Sequence, residues 1–291
     1  SSSSSSSPSS LSHPSSTSAS QPRLIMGEAS PSYLYSPGAP MLMQRFLPRM
    51  KLICVLRDPI ERAISEYLNK QADGTLTKYL HKRAWRKAIR ANEDETAPTF
   101  RRLVRDVSAS MQKCPQRSYY SYVGGLPSSP RSCYINPFVL NSAYVLYLPA
   151  WFNSFPSSSI LVLAFEDVQG NGQAVMSKVT SHLGLSPFEF DTRMNRGVHT
   201  RQSGRGQKQN VVGGFATGIR EAPKESLASQ HLTRKEYCIL TAFYQPYSQM
   251  LSQFLHANGQ KNRMPWATEQ AVHTAAEGCK TGRTMRRRSE L

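Results

Sequence analysis

The sequence predicts an α/β fold, with a central, mostly parallel sheet flanked by helices. Three observations lead there. Two short runs, Lys51–Leu56 (K-L-I-C-V-L) and Ile160–Phe165 (I-L-V-L-A-F), are almost uniformly apolar, the pattern of parallel strands covered on both faces. Each run is followed closely by helix signals. Strand-like and helix-like patterns then alternate along the chain, the order that builds parallel sheets.

A short helix over Met41–Phe46 leads into the first strand. After that strand, Asp58 is placed to act as N-cap, Pro59 as the first helical residue and Glu61 as the third, much like a capping box. Ile60, Ala63, Ile64, Tyr67 and Leu68 recur at helical spacing and predict the buried stripe. Residues 70–135 read as a polar, basic insertion with helical stretches near Leu76–Arg90 and Phe100–Met111 and a turn-rich segment at Tyr119–Pro130. Helices are expected at Phe138–Phe152, at Gly172–Leu183 with Gly184 as its stop, and at Leu232–Leu255, bent or broken at Pro246.

The domain organisation follows from composition. Residues 1–22 hold 14 serines and no charged residue, too few apolar side chains to bury a core, so they are expected to be disordered. Residues 23–255 form the expected domain, and 256–291 a loose basic tail. The chain opens with Ser1, and we expect it to be an amino-terminally truncated piece. The 36 Lys and Arg against 19 Asp and Glu give a net charge of +17, which suits a polyanionic partner: nucleic acid, an anionic membrane or an acidic polysaccharide. No basic stretch interleaved with aromatics and no zinc-finger spacing supports nucleic acid. No apolar run approaches the roughly 20 residues of a membrane span. The five cysteines lack C-x-x-C pairing; Cys54 and Cys238 read as core residues, while Cys114 and Cys133 flank a polar loop and could pair in an oxidising compartment.

The chemistry concentrates in K-L-I-C-V-L-R-D-P-I-E-R-A-I-S-E-Y, residues 51–67. Arg57 stands at the carboxyl end of a strand, where open α/β sheets bind ligands. The helix after it would offer backbone N–H groups and a positive dipole end to a phosphate. Ser65 lies seven residues beyond Asp58, about two turns along the same helix. A guanidinium fork and a hydroxyl could hold one phosphate between them. On chemistry alone, a surface arginine, a capping aspartate and an incidental serine account for these residues equally well.

The run Leu52–Tyr67 resembles the 3′-phosphate-binding motif of sulfotransferases that use PAPS (3′-phosphoadenosine 5′-phosphosulfate), especially the heparan sulfate and chondroitin sulfate branches. Three further stretches resemble the same family in the same order: Gly27–Tyr33 (G-E-A-S-P-S-Y), Asn141–Asp167 with Tyr144, Trp151, Phe155-Pro156 and L-V-L-A-F-E-D, and Phe243–Tyr247 (F-Y-Q-P-Y). The resemblance implies a P-loop-like sulfotransferase fold and sulfuryl transfer from PAPS to a hydroxyl of an anionic glycan, with no metal. It also implies a membrane-anchored protein of the Golgi lumen. By this resemblance Arg57 and Ser65 bind the nucleotide's 3′-phosphate, and Arg201, Arg205 and Lys208, in the acid-free loop Arg193–Lys208, correspond to a basic loop closing over PAPS. Glu166 and Asp167 would brace the strand end.

The sequence also departs from the family. Nothing before residue 24 resembles the first strand and its Lys-x-Gly-Thr-Thr donor loop, and Ala29 stands where the family's turn has lysine. The domain is therefore expected to lack its first strand and donor loop, and a catalytically inactive module that binds nucleotide or polyanion is the alternative to an enzyme. Local candidates for the base are Glu28 and His199, for which a solvated acid and an incidental loop histidine are the plain alternatives.

Overall fold

A computed structural model describes residues 25–76, 96–113, 135–190 and 226–281. The chain divides into two compact units, Ser1–Pro31 and Ser32–Leu291. In the first unit the described residues are largely exposed, Ile25 and Met26 among them. The second unit holds every element named below.

Helix α1 (Ala39–Phe46) precedes strand β1 (Leu52–Leu56), which leads into helix α2 (Pro59–Ala72). Strand β2 (Ile160–Ala164) pairs with β1 in parallel, Leu52 opposite Ile160 and Leu56 opposite Ala164. These two strands are the sheet among the described residues, and helices pack around them, as the alternating pattern predicts. The two strands are covered unequally. β2 is buried along nearly its whole length, whereas Ile53 and Val55 of β1 are 40% and 49% exposed. The expectation of two covered faces therefore fails for β1. An apolar run shows that both faces can be buried, while burial depends on what packs there. The outer edge of β2 is closed by side chains: Gln260 accepts from the Val162 N–H and donates to the Ile160 carbonyl, and Asn262 donates to the Val162 carbonyl.

Helix α2 forms where the sequence places it. Asp58 Oδ1 accepts from the N–H groups of Ile60 and Glu61 at 2.9 and 3.2 Å, and Ile60, Ala63, Ile64, Tyr67 and Leu68 are buried. From the expected insertion, α3 (Thr96–Lys113) reaches the core, burying Phe100, Leu103, Val104 and Val107. The Leu76–Arg90 helix lies outside the described residues apart from Leu76, which is buried, and so do Tyr119–Pro130, Cys114, Cys133 and residues 1–22. The single helix expected over Phe138–Phe152 is broken into α4 (Pro137–Leu140), a 3-10 turn at Tyr144–Leu146 and α5 (Leu148–Ser154). The break comes with a turn at Asn141 and Ser142 in place of continued helical pairing, and the Tyr144 hydroxyl beyond it meets the Arg57 backbone. After β2 come α6 (Phe165–Gly170) and α7 (Gly172–Leu183), the latter ending on Gly184 at φ 69°, a left-handed conformation that glycine adopts without steric cost. Then follow α8 (Leu227–His231), α9 (Arg234–Ala257) and α10 (Glu269–Thr281).

Three expectations change at this end of the chain. Of a helix bent or broken at Pro246, the break is absent: α9 runs through the proline and is started by a capping box between Thr233 and Glu236. The stretch expected as a loose tail is packed from Gln260 to α10, with Met264, Trp266, Ala267 and Val272 buried. Its apolar residues are few but sit at helical and turn spacings that meet α9, a pattern that average polarity conceals. Cys238, expected as a plain core residue, forms a disulfide with Cys279 that joins α9 to α10 across 41 residues. Replacing both cysteines with serine is expected to lower stability by about 2–4 kcal/mol, through the larger conformational freedom of the unfolded chain. Urea unfolding of the double variant beside the oxidised protein measures this.

Candidate functional site

The site is built where β1 and β2 end side by side. The register that pairs Leu56 with Ala164 puts Arg57 next to Phe165 and Asp58 next to Glu166. The Arg57 guanidinium lies over the Phe165 ring, 5.1 Å from its centroid, a cation–π arrangement that also fixes the plane of the fork. Its Nη2 donates to Glu61 Oε2 at 3.1 Å. The backbone of Arg57 is held as firmly as its side chain. The Tyr144 hydroxyl accepts from the Arg57 N–H at 3.3 Å and donates to its carbonyl at 2.9 Å. The next N–H, that of Asp58, donates to Glu166 Oε1 at 2.9 Å. Glu166 thus braces the strand end, as the sequence suggests.

Burial acts on these groups in a consistent direction. It pushes the Tyr144 hydroxyl well above the usual phenol range, so the hydroxyl keeps its proton and can donate and accept at once. Glu166 is raised from 4.5, mainly by burial and opposed by the Asp58 N–H, and its Oε2 is buried without a hydrogen-bond partner. Glu61 is raised from 4.5 by burial too, opposed by the Ala228 N–H. A carboxyl raised in the folded state favours folding in its neutral form, so its contribution declines as pH rises from about 4.5 through the higher folded value. Relative to the wild type, Glu166→Gln should therefore gain stability as pH is raised from 4.5 to 7. Urea midpoints of the two proteins across that range check the sign.

Arg62 and Tyr244 complete the wall behind the site. Arg62 donates to Glu66 at 2.6 Å, to Ser142 Oγ at 2.9 Å and to the Phe138 carbonyl at 3.4 Å, tying α2 to the α4 region. Tyr244, from the F-Y-Q-P-Y stretch, donates to the Val139 carbonyl at 2.7 Å. Nothing in the sequence marks Arg62 as different from a surface arginine; beyond the helical pair with Glu66, its partners Phe138 and Ser142 lie 76 and 80 residues away.

The residues expected to act are distributed as follows. Arg57 stands at the strand end. Ser65 is half-buried on α2, one turn beyond Glu61. Glu28 is exposed and belongs to the first unit. His199, Arg201, Arg205 and Lys208 lie outside the described residues. One part of the expected grip is corrected: the first-turn N–H groups of α2 are not available to a phosphate, because Pro59 has none and those of Ile60 and Glu61 are taken by Asp58. The capping box is likewise incomplete, since the Glu61 carboxylate turns to Arg57 and to the N–H groups of Leu227 and Ala228. Among the described residues no group of three or more His, Cys, Asp or Glu could hold a metal ion, and no helix is long and apolar enough to cross a membrane.

Comparison with known proteins shows what the chain is similar to. Residues 15–137 match the model of the sulfotransferase family, a match that takes in β1, Arg57 and α2. Among individual proteins, carbohydrate sulfotransferase 15 of Rattus norvegicus is 26% identical over 260 residues, covering 80% of this chain and 38% of that protein. The bifunctional heparan sulfate N-deacetylase/N-sulfotransferase 2 of Bos taurus is 26% identical over 254 residues, covering 86% of this chain and 24% of that protein. The chain is similar to these two proteins and spans well under half of the length of each. A sulfotransferase from Alicyclobacillus acidocaldarius also aligns in structure, with a TM-score of 0.41 and 17% identity over 77% of this chain and 62% of that one.

Proposed function

We propose that the protein transfers a sulfuryl group from PAPS to a hydroxyl of an anionic glycan, and that Arg57 and Ser65 hold the donor's 3′-phosphate. The observation that carries this reading is the held Arg57 at the strand end: the Phe165 ring and the Glu61 carboxylate fix its guanidinium, and the Tyr144 hydroxyl fixes its backbone. Preorganisation of this kind is what paired charge-assisted bonds to a phosphate require. In the reaction the acceptor oxygen forms a bond to sulfur as the bond between sulfur and the phosphate oxygen breaks, leaving adenosine 3′,5′-bisphosphate. The acceptor proton passes to a base, for which Glu28 and His199 are the candidates within this sequence. Arg201, Arg205 and Lys208 would add positive charge against the donor's phosphates. The net charge of +17 suits an acidic polysaccharide.

The names of the two relatives, a carbohydrate sulfotransferase and a heparan sulfate N-sulfotransferase, support a glycan acceptor and a working enzyme over the inactive module. The Cys238–Cys279 disulfide supports an oxidising compartment, in keeping with the Golgi lumen. The catalytic module would extend beyond residue 255, through the packed segment to Thr281. Incubating the protein with ³⁵S-labelled PAPS and a panel of glycosaminoglycans tests the proposal. Label on a glycan supports it. Bisphosphate binding with no transfer to any glycan would favour the inactive module.

A further inference from the structure

The Glu61 carboxylate receives three donors from two distant parts of the chain. Its Oε2 accepts from Arg57 Nη2 at 3.1 Å and from the Leu227 N–H at 3.1 Å, and its Oε1 accepts from the Ala228 N–H at 3.1 Å. The last two are first-turn groups of α8, whose N-cap Ser226 takes the Ser229 N–H with its own hydroxyl. An acid on α2, 166 residues earlier, therefore caps α8. The other end of α8 is held as well: the His231 carbonyl accepts from Arg101 Nε at 3.2 Å, and Arg101 pairs with the buried Glu236 of α9 at 3.4 Å. The Glu61 side chain is 18% exposed and that of Arg57 28%, so the pair is shielded from much of the screening that weakens surface ion pairs.

We propose that Glu61 is a positioning residue that couples phosphate binding at Arg57 to the docking of α8. This inference rests on the reading of Arg57 as a phosphate ligand. A guanidinium has five N–H donors in a planar fork. Glu61 holds one edge and the Phe165 ring holds the face, so the other edge is directed at the oxyanion. Glu61 is itself oriented by the two α8 N–H groups, so α8 sets the geometry of the fork through a single carboxylate. Linkage makes the effect reciprocal: a phosphate that favours the oriented arginine also favours docked α8.

The test is titration with adenosine 3′,5′-bisphosphate, together with amide hydrogen exchange over residues 226–232. In the wild type the ligand should slow exchange at Leu227 and Ala228. Glu61→Gln, similar in size, should weaken binding about fivefold or more and abolish the ligand-dependent slowing. Leu227→Pro removes one of the two donors while leaving both Glu61 and Arg57 in place, and proline is well tolerated at a first helical position. It should weaken binding in the same direction. Unchanged affinity in both variants, or unchanged exchange in the ligand-bound wild type, overturns the coupling. Arg57→Ala separates the two readings. If that variant binds like wild type, the phosphate assignment has failed. If it loses binding while Glu61→Gln and Leu227→Pro do not, only the coupling has failed.

Discussion

Arg57→Ala is expected to weaken binding of adenosine 3′,5′-bisphosphate by about 100-fold, with little change in the thermal midpoint. The size follows from the chemistry. A hydrogen bond to a charged group contributes about 1.5–3 kcal/mol, and a fork can make two to one phosphate. Fold stability should be little affected, because the structural bonds at this position use the backbone. Tyr144 holds the Arg57 N–H and carbonyl, and alanine retains both. What the variant does lose is the pair with Glu61 and the contact with Phe165, both partly exposed to water. Arg57→Lys should recover part of the affinity, roughly tenfold short of wild type, since an ammonium retains the charge and lacks the fork. Isothermal titration of the three proteins measures this, and equal affinities would remove Arg57 from the site.

Phe138→Ala is expected to have the opposite signature, a loss of about 3–5 kcal/mol in unfolding free energy. Phe138 is fully buried and meets the Tyr67 ring edge-on at 5.7 Å, and Tyr67 in turn meets Phe100 at 5.1 Å. Removing the ring leaves a cavity where α2, α3 and α4 join, and three well-packed elements cannot close around it. The affected backbone also carries the carbonyl that accepts from Arg62. Urea unfolding followed by circular dichroism gives the value. A loss below 1 kcal/mol would mean that this junction relaxes easily and that the support behind Arg57 is softer than its contacts suggest.

The difference between these two variants mirrors the difference between local and long-range contacts in this chain. Local signals were strong where a few neighbouring residues settle the outcome. Asp58-Pro59 starts α2, Gly184 stops α7, and two apolar runs become the paired strands, because capping, left-handed backbone and strand propensity are short-range properties. Arg57 could also be placed at a strand end, since the strand and the cap on either side of it are both local. Ser65 could be placed on the helix for the same reason.

Tertiary structure alone decided the partners. Glu61 looks like the third residue of a capping box, yet its carboxylate is drawn to Arg57 and to α8, whose donors arrive from residues 227 and 228. Cys238 finds Cys279 only because α9 and α10 pack together, and the polar composition of that last stretch hides the few apolar residues that make them do so. Ile53 and Val55 look as buried in sequence as their neighbours and are not, because hydrophobicity says what a face tolerates and only the neighbouring elements say what covers it. By itself, then, the sequence determined the strand–arginine–helix unit that presents a guanidinium at the strand end. The Glu61 carboxylate that meets this guanidinium is local, whereas the Phe165 ring and the Tyr144 hydroxyl come from segments far along the chain, and only folding brings them into contact with Arg57.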